Sequence, residues 1–211
     1  MTGNLFFMAK VSDNKDEDGL GRIRVTYTNE DEVVSNWVPY MSSLAADGSG
    51  ISCLPDVDDQ VLVISLDAHK TKLIALGSVW SEVAAPAETG ENSDADLNQD
   101  GNNSLSFIKT KAENMIILDD TDGKEKIQLI QNKTNSRIEF IAEDKKLSIS
   151  TDEEIDIAAT KDLCLNAENM TFEAEKEFNV SCENYQVKAG KEIKLEADKD
   201  MTLKGSGIAL N

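Results

Sequence analysis

The stretch KEIKLEADKDMTLKG, Lys191–Gly205, holds the reading on which the fold turns. Ile193 and Leu195 flank one polar residue, a small residue follows at Ala197, and eight residues after Ile193 the figure returns as Met201, Leu203 and Gly205. A spacing of two places the three on one face of an extended strand, with Lys194 and Glu196 on the other. The figure recurs from Leu147 to the end of the chain. Its pairs are Leu147/Ile149, Ile155/Ile157, Leu163/Leu165, Met170/Phe172, Phe178/Val180, Tyr185/Val187, Ile193/Leu195, Met201/Leu203 and Ile208/Leu210, starting 8, 8, 7, 8, 7, 8, 8 and 7 residues apart. Two residues after each of the first eight pairs stands a side chain of modest size: Thr151, Ala159, Ala167, Ala174, Cys182, Ala189, Ala197 and Gly205. Each repeat therefore predicts one short strand, apolar inward, closed by a tight corner that admits a small side chain.

A helical heptad would place its apolar residues at i and i+3 or i+4, and this repeat does not. The remaining choice is a β-solenoid or β-prism of many short strands. Three consecutive strands of one chain could form a triangular coil, since Ile155 to Phe178, Met170 to Ile193 and Phe178 to Met201 each span 23 residues. Alternatively, three chains could wind about a common axis. Nine short strands make only about three coils of one chain, which leaves two large apolar ends, a weakness of uncapped repeat folds. The sequence closes on GSGIALN with no capping helix. The three-chain prism is the favoured reading, with the first eight pairs, Leu147/Ile149 through Met201/Leu203, as the trimer core.

Composition narrows the function. The chain carries 40 acidic against 21 basic residues, a net −19. That balance excludes a sequence-independent nucleic-acid binder, whose affinity comes from Lys and Arg on phosphates, and disfavours an anionic membrane surface. No apolar run approaches a membrane span, and MTGNLFFMAKVSDNKDED lacks the basic and long apolar regions of a signal peptide. Synthesis in the cytoplasm without an export signal is the expectation. Cys53, Cys164 and Cys182 form no metal-ligand spacing and read as reduced thiols.

The chain divides into residues 1–83, a connector at 84–103, a neck at 104–146 and the prism at 147–211. The connector AAPAETGENSDADLNQDGNN has five acidic residues, no basic one and little that is apolar beyond Leu97, so it predicts an extended or flexible link. The net charge is −7 before it, −5 within it and −7 after it, so no single acidic tail explains the total. Paired apolar residues at Leu105/Phe107, Met115/Ile117, Ile127/Leu129 and Ile138/Phe140, with a turn-like DDTDG at Asp119–Gly123, predict a wider, partly antiparallel neck that narrows into the prism near Leu147.

In residues 1–83, the segments Gly21–Thr28, Ser35–Met41, Gln60–Leu66 and Lys72–Trp80 are β-branched, aromatic or Leu-rich. They are bounded by the turn formers Asn29-Glu30-Asp31, Asp47-Gly48-Ser49-Gly50 and Pro55-Asp56. Five or so strands in eighty residues suggest a small antiparallel barrel of OB type. The whole chain is expected to be all-β.

The order DEDGLGRIRVTY, SNWVPYM, GISCLPDVDDQVLVISL and LIALGSVW resembles the OB-fold domain of the central spike of contractile injection machines. That family includes the baseplate assembly protein V of contractile-tailed phages, the spikes of phage-like bacteriocins and the C-terminal half of VgrG proteins of type VI secretion. The likeness rests on Gly21, Arg22, Ile23, Val25, Trp37, Val38, Leu54, Pro55, Asp59, Val61, Val63, Leu76, Gly77, Ser78 and Val79. In the family a connector and a β-prism follow in the same order. The resemblance implies a homotrimeric spike that sits on a baseplate hub at its OB end and pierces the target envelope in a transient contact. It also implies a PAAR-like tip protein over the prism end, at Ile208, Leu210 and Asn211, and a place within a virion or injection particle. There is no hub domain ahead of Met1, so the hub is expected to be another chain or a part left out of this sequence. The connector is too short for the lysozyme insertion some relatives carry.

Many phage spikes of this family hold an iron ion through a histidine motif at the tip. The only histidine here is His69, in the turn DAHKTK, and it reads as a solvated turn residue. No metal site, cofactor or catalytic residue is expected. The alternative is a single-chain β-helix that binds or degrades carbohydrate, with acidic residues such as Asp152, Glu153 and Glu154 as acid and base. Carboxylates stand at nearly every predicted corner with Lys nearby, which is the pattern of a solvated charged surface. No Ser/His/Asp or Cys/His set can be assembled. The Asp13–Asp18 cluster lacks the glycine and terminal Glu of a calcium loop.

Overall fold

The computed structural model describes residues 5–27, 33–90 and 101–209, and every regular element among them is a β-strand. The chain forms two compact units, Met1–Asp156 and Ile157–Asn211. Thr28 and the turn Asn29-Glu30-Asp31, most of the connector, and Leu210 and Asn211 of the expected tip surface lie outside the described residues.

The first sheet is built from β1 (Phe6–Asp13), β2 (Arg22–Tyr27), β3 (Val38–Pro39), β6 (Gln60–Ser65) and β7 (Leu73–Ser78), in the order β3-β2-β1-β6-β7. Between β3 and β6, a small hairpin pairs β4 (Ala45–Ala46) with β5 (Ser49–Gly50) around Asp47-Gly48. Alternation decides which residues fill the barrel. Ala9 and Val11 of β1, Ile23 and Val25 of β2, Val61 and Val63 of β6, and Leu73 and Ala75 of β7 point inward with Val38. Phe7, Tyr27 and Tyr40 pack against this core from its rim. Irregular register at Val11/Asp13 and at Leu62/Val63 bends the long strands enough to curl the sheet. The two edges then meet. Tyr40 makes a parallel bridge to Ala75, and the Met41 N–H donates to the Ala75 carbonyl at 2.8 Å. A five-stranded, nearly closed barrel whose third strand joins its last in parallel is an OB fold.

The second sheet is a meander of β8 (Leu105–Lys109), β9 (Met115–Asp119), β10 (Lys126–Gln131), β11 (Ser136–Ile141) and β12 (Lys146–Ser150), each antiparallel to the next. Three of its hairpins close through a residue in the left-handed region: Glu113 (φ 60°), Asn135 (φ 49°) and Lys145 (φ 49°). The DDTDG segment is a loop in which the Lys124 N–H donates to the Thr121 carbonyl at 2.8 Å and Gly123 supplies φ 72°. The neck is thus antiparallel throughout, where the sequence suggested it would be so only in part. Because the Ala142–Lys145 turn returns the chain, Leu147 and Ile149 lie on β12, paired with Phe140 and Ile138 of β11. Two links tie the barrel's side of this unit to the sheet: an ion pair of Lys111 with Asp56, and a hydrogen bond from Lys109 Nζ to the Glu88 carbonyl at 2.5 Å.

Candidate assembly site

In residues 157–209 the backbone is extended between regularly spaced bends. Bends stand at 160–161, 168–169, 175–176, 183, 190–191, 198–199 and 206, each directly after one of the small residues from Ala159 to Gly205, and a further one at 152–153 follows Thr151. The small side chain leaves room for the backbone to change direction there, which is why the repeat length is set by these residues. No strand ladder forms within this unit among the described residues.

The side chains expected to form a core are not buried within the single chain. Leu147, Ile149 and Ile155 are 56, 57 and 52% exposed. Beyond them Ile157, Leu163, Leu165, Met170, Phe172, Phe178, Val180, Tyr185, Val187, Ile193, Leu195, Met201 and Leu203 are 48–72% exposed, with Val180 and Val187 at 54% each. Beyond residue 157 the reason is geometric: backbone that pairs with no strand of its own unit brings no second layer over its apolar side, so one chain alone closes no core there. Even the aromatic pair shows this, for Phe172 and Phe178 meet ring to ring at 6.0 Å, yet both stay more than 60% exposed. Ile208, the one tip candidate within the described residues, is 55% exposed. Soluble monomers rarely leave this many apolar side chains bare.

The barrel carries a second built feature at its β1–β2 loop. Asp16 accepts Arg22 Nη2 at 2.6 Å on one carboxylate oxygen and Arg22 Nε at 2.9 Å on the other. It also accepts the backbone N–H groups of Asp18, Leu20 and Arg22. The Arg22 guanidinium therefore holds the Asp16 carboxyl well below the usual carboxylate range, with the backbone donors adding to the effect. The loop wraps so tightly because Gly19 and Gly21 take φ of 67° and 68°, where a side chain would be strained. The guanidinium groups of Arg24 and Arg22 lie 4.8 and 5.9 Å from the centre of the Trp37 ring. The Gly-Arg of the first sequence motif and the Trp of the second thus meet in one place, as a clamp that fixes loop against strand. Sequence reasoning examined Asp13–Asp18 for calcium and overlooked this role; the signal was an Asp placed before Gly-x-Gly-Arg.

At the β6–β7 turn, Asp67 accepts the N–H groups of His69, Thr71 and Lys72 and the Thr71 hydroxyl at 2.7 Å. Led by the Thr71 hydroxyl, these donors lower its pKa to about 2. His69 is exposed in that turn. Cys53, Cys164 and Cys182 are free and exposed. Among the described residues, no three His, Cys, Asp or Glu side chains are grouped to hold a metal ion, and no helix is long and apolar enough to cross a membrane.

Residues 7–80 match the Type VI secretion system/phage-baseplate injector OB domain. The match coincides with the barrel and leaves the meander and the repeat outside it. No curated protein is significantly similar to the chain. The match to an injector OB domain supports a structural, spike-type role for the barrel.

Proposed function

Since residues 7–80 match a baseplate injector OB domain, we propose that the chain is the homotrimeric central spike of a contractile injection apparatus. Its OB end sits on the baseplate hub, residues 147–211 of three copies wind into a β-prism needle, and the needle is driven through the target envelope. The observation that carries this reading is the repeat beyond residue 157, with evenly spaced bends and its paired apolar side chains exposed among the described residues. Extended backbone needs partners for its N–H and C=O groups, and apolar stripes need cover. Two further copies with the same period supply both at once. Each face of the prism takes strands from all three chains, its interior is continuous aliphatic packing, and Lys, Glu and Asp stay outward to keep it in solution.

Such a needle suits piercing for a physical reason. One chain cannot leave without unwinding from two others, so its resistance is kinetic as well as thermodynamic. At the far end, the exposed Ile208 continues the core stripe and, with Leu210 and Asn211, forms the seat for a separate PAAR-like tip protein. The role is mechanical, with no catalysis by this chain.

Light scattering together with unboiled SDS electrophoresis tests the proposal. A mass of three times 23.1 kDa that survives SDS is expected. A 23.1 kDa monomer would overturn it.

A further inference from the structure

The first corner of the repeat differs from those that follow. Ala, Cys or Gly stands at every later one, from Ala159 to Gly205, and each is exposed. At the first stands Thr151, half-buried, with a hydroxyl and a branched Cβ that a tight corner does not need. The use of the hydroxyl is visible in its neighbours. Thr151 Oγ1 lies 2.8 Å from Ser136 Oγ, which lies 2.7 Å from Thr134 Oγ1, and the Thr134 hydroxyl donates to Gln131 Oε1 at 2.6 Å. The Glu153 N–H donates to Thr151 Oγ1 at 3.2 Å. A hydroxyl has one proton to give, so donation runs one way, from Glu153 through Thr151, Ser136 and Thr134 to Gln131. Each hydroxyl on the route then both accepts and donates. Beside it, the Asp152 N–H donates to the Thr134 carbonyl and Asn135 Nδ2 donates to the Asp152 carboxylate, both at 3.3 Å. The bend at 152–153 is thereby stitched to the β10–β11 turn.

We infer that this hydroxyl network sets the register in which copies of the protein align, with Thr151 and Ser136 as its positioning residues. The inference rests on the trimeric reading above. A repeat whose apolar pairs return every seven or eight residues specifies register weakly, because a copy displaced by one repeat sets pair against pair again. Such a displacement draws the first pair, Leu147 and Ile149, out of β12, an edge strand paired among the described residues with β11 alone. What fastens the ends of β12 therefore decides whether the first pair can be given up. The Ala142–Lys145 turn fastens one end, and the hydroxyl network fastens the other. With both ends held, every copy begins its repeat at the same residue.

The test measures register by pulsed electron paramagnetic resonance on full-length protein. A spin label is placed at Lys194→Cys, with Cys53, Cys164 and Cys182 replaced by serine, and the mass of each variant is recorded. With the network intact, a trimer with one distance between labels is expected. Combining Thr151→Val with Ser136→Ala should keep the trimer but add a second, longer distance, its share at least about fivefold that in the parent. Thr151→Ser, which keeps the hydroxyl, should restore the single distance, and Thr171→Val, at an exposed threonine away from the network, should leave it unchanged. A trimer of the double variant with the parent's single distance would overturn the register inference and leave the trimeric needle standing. A monomer for the unsubstituted protein would overturn both. Should the double variant fail to assemble, Thr151→Val alone takes the same measurement.

Discussion

Truncating Leu195 tests the inward assignment of the repeat most directly. Leu195 is 68% exposed in the isolated chain, so assembly can remove about 130 Å² of it from water, worth about 3 kcal/mol at the usual coefficient. Leu195→Ala forfeits about two thirds of that and leaves a cavity, which together cost about 2–5 kcal/mol per site. A trimer repeats the loss three times, giving roughly 6–15 kcal/mol per assembly if the sites add. The neighbouring Lys194 is the control. Its Nζ pairs with Glu196 at 2.8 Å with both side chains mostly exposed, a surface ion pair worth at most about 1 kcal/mol. Guanidinium unfolding followed by light scattering should show Leu195→Ala dissociating at a far lower midpoint than Lys194→Ala. Equal midpoints would refute the assignment of faces, and a larger loss for Lys194→Ala would invert it.

Other outcomes follow from the same geometry. Cys182 stands at a corner on the apolar side, two residues after Val180, and Cys164 between Leu163 and Leu165 on the polar side, so native trimer should show a fast thiol at 164 and a protected one at 182, read by alkylation and mass spectrometry. Asp16 and Asp67 have folded pKa values below the usual 3.9 or so. The stability they contribute is complete above that value and is lost as pH falls toward the folded values, about 2 for Asp67. Asp16→Asn should therefore flatten the loss of stability in the barrel (followed by Trp fluorescence) below about pH 4. On the trimeric reading three copies bring three times the chain's −19 together, so raising salt from low ionic strength should speed trimer formation and raise its melting temperature, measured by light scattering. A salt-independent trimer would show that the outward charges are already paired across chains.

The barrel was legible because its strands carry apolar residues of one parity, as in Val61 and Val63 or Ile23 and Val25, and because its turns are rich in Gly, Asp and Pro. β1 is absent from the four segments that this pattern picks out, although Ala9 and Val11 sit at the barrel's centre. In the neck, the sequence pairs Met115/Ile117 and Ile127/Leu129 fall on opposite faces. Alternation could not reveal this, since Met115-Ile116-Ile117-Leu118 is apolar at both parities and only the turn geometry fixes which face each residue joins. The bends of the repeat were the most legible feature, because a small residue every seven or eight positions leaves little else to explain. The cover of the stripe was legible only by its lack: Val180 and Val187 read as core from their spacing yet stand open in one chain, since on the trimeric reading the contacts that complete them come from other copies.

That the described residues beyond 157 find no ladder and no cover among themselves has a kinetic side. Such a segment has little folding free energy of its own, so its ordering depends on encounter and slows with dilution, while the barrel can form at any concentration. Yield of the assembled particle should then follow the local density of nascent chains more than the total amount made. On the trimeric reading, several ribosomes on one message would supply that density.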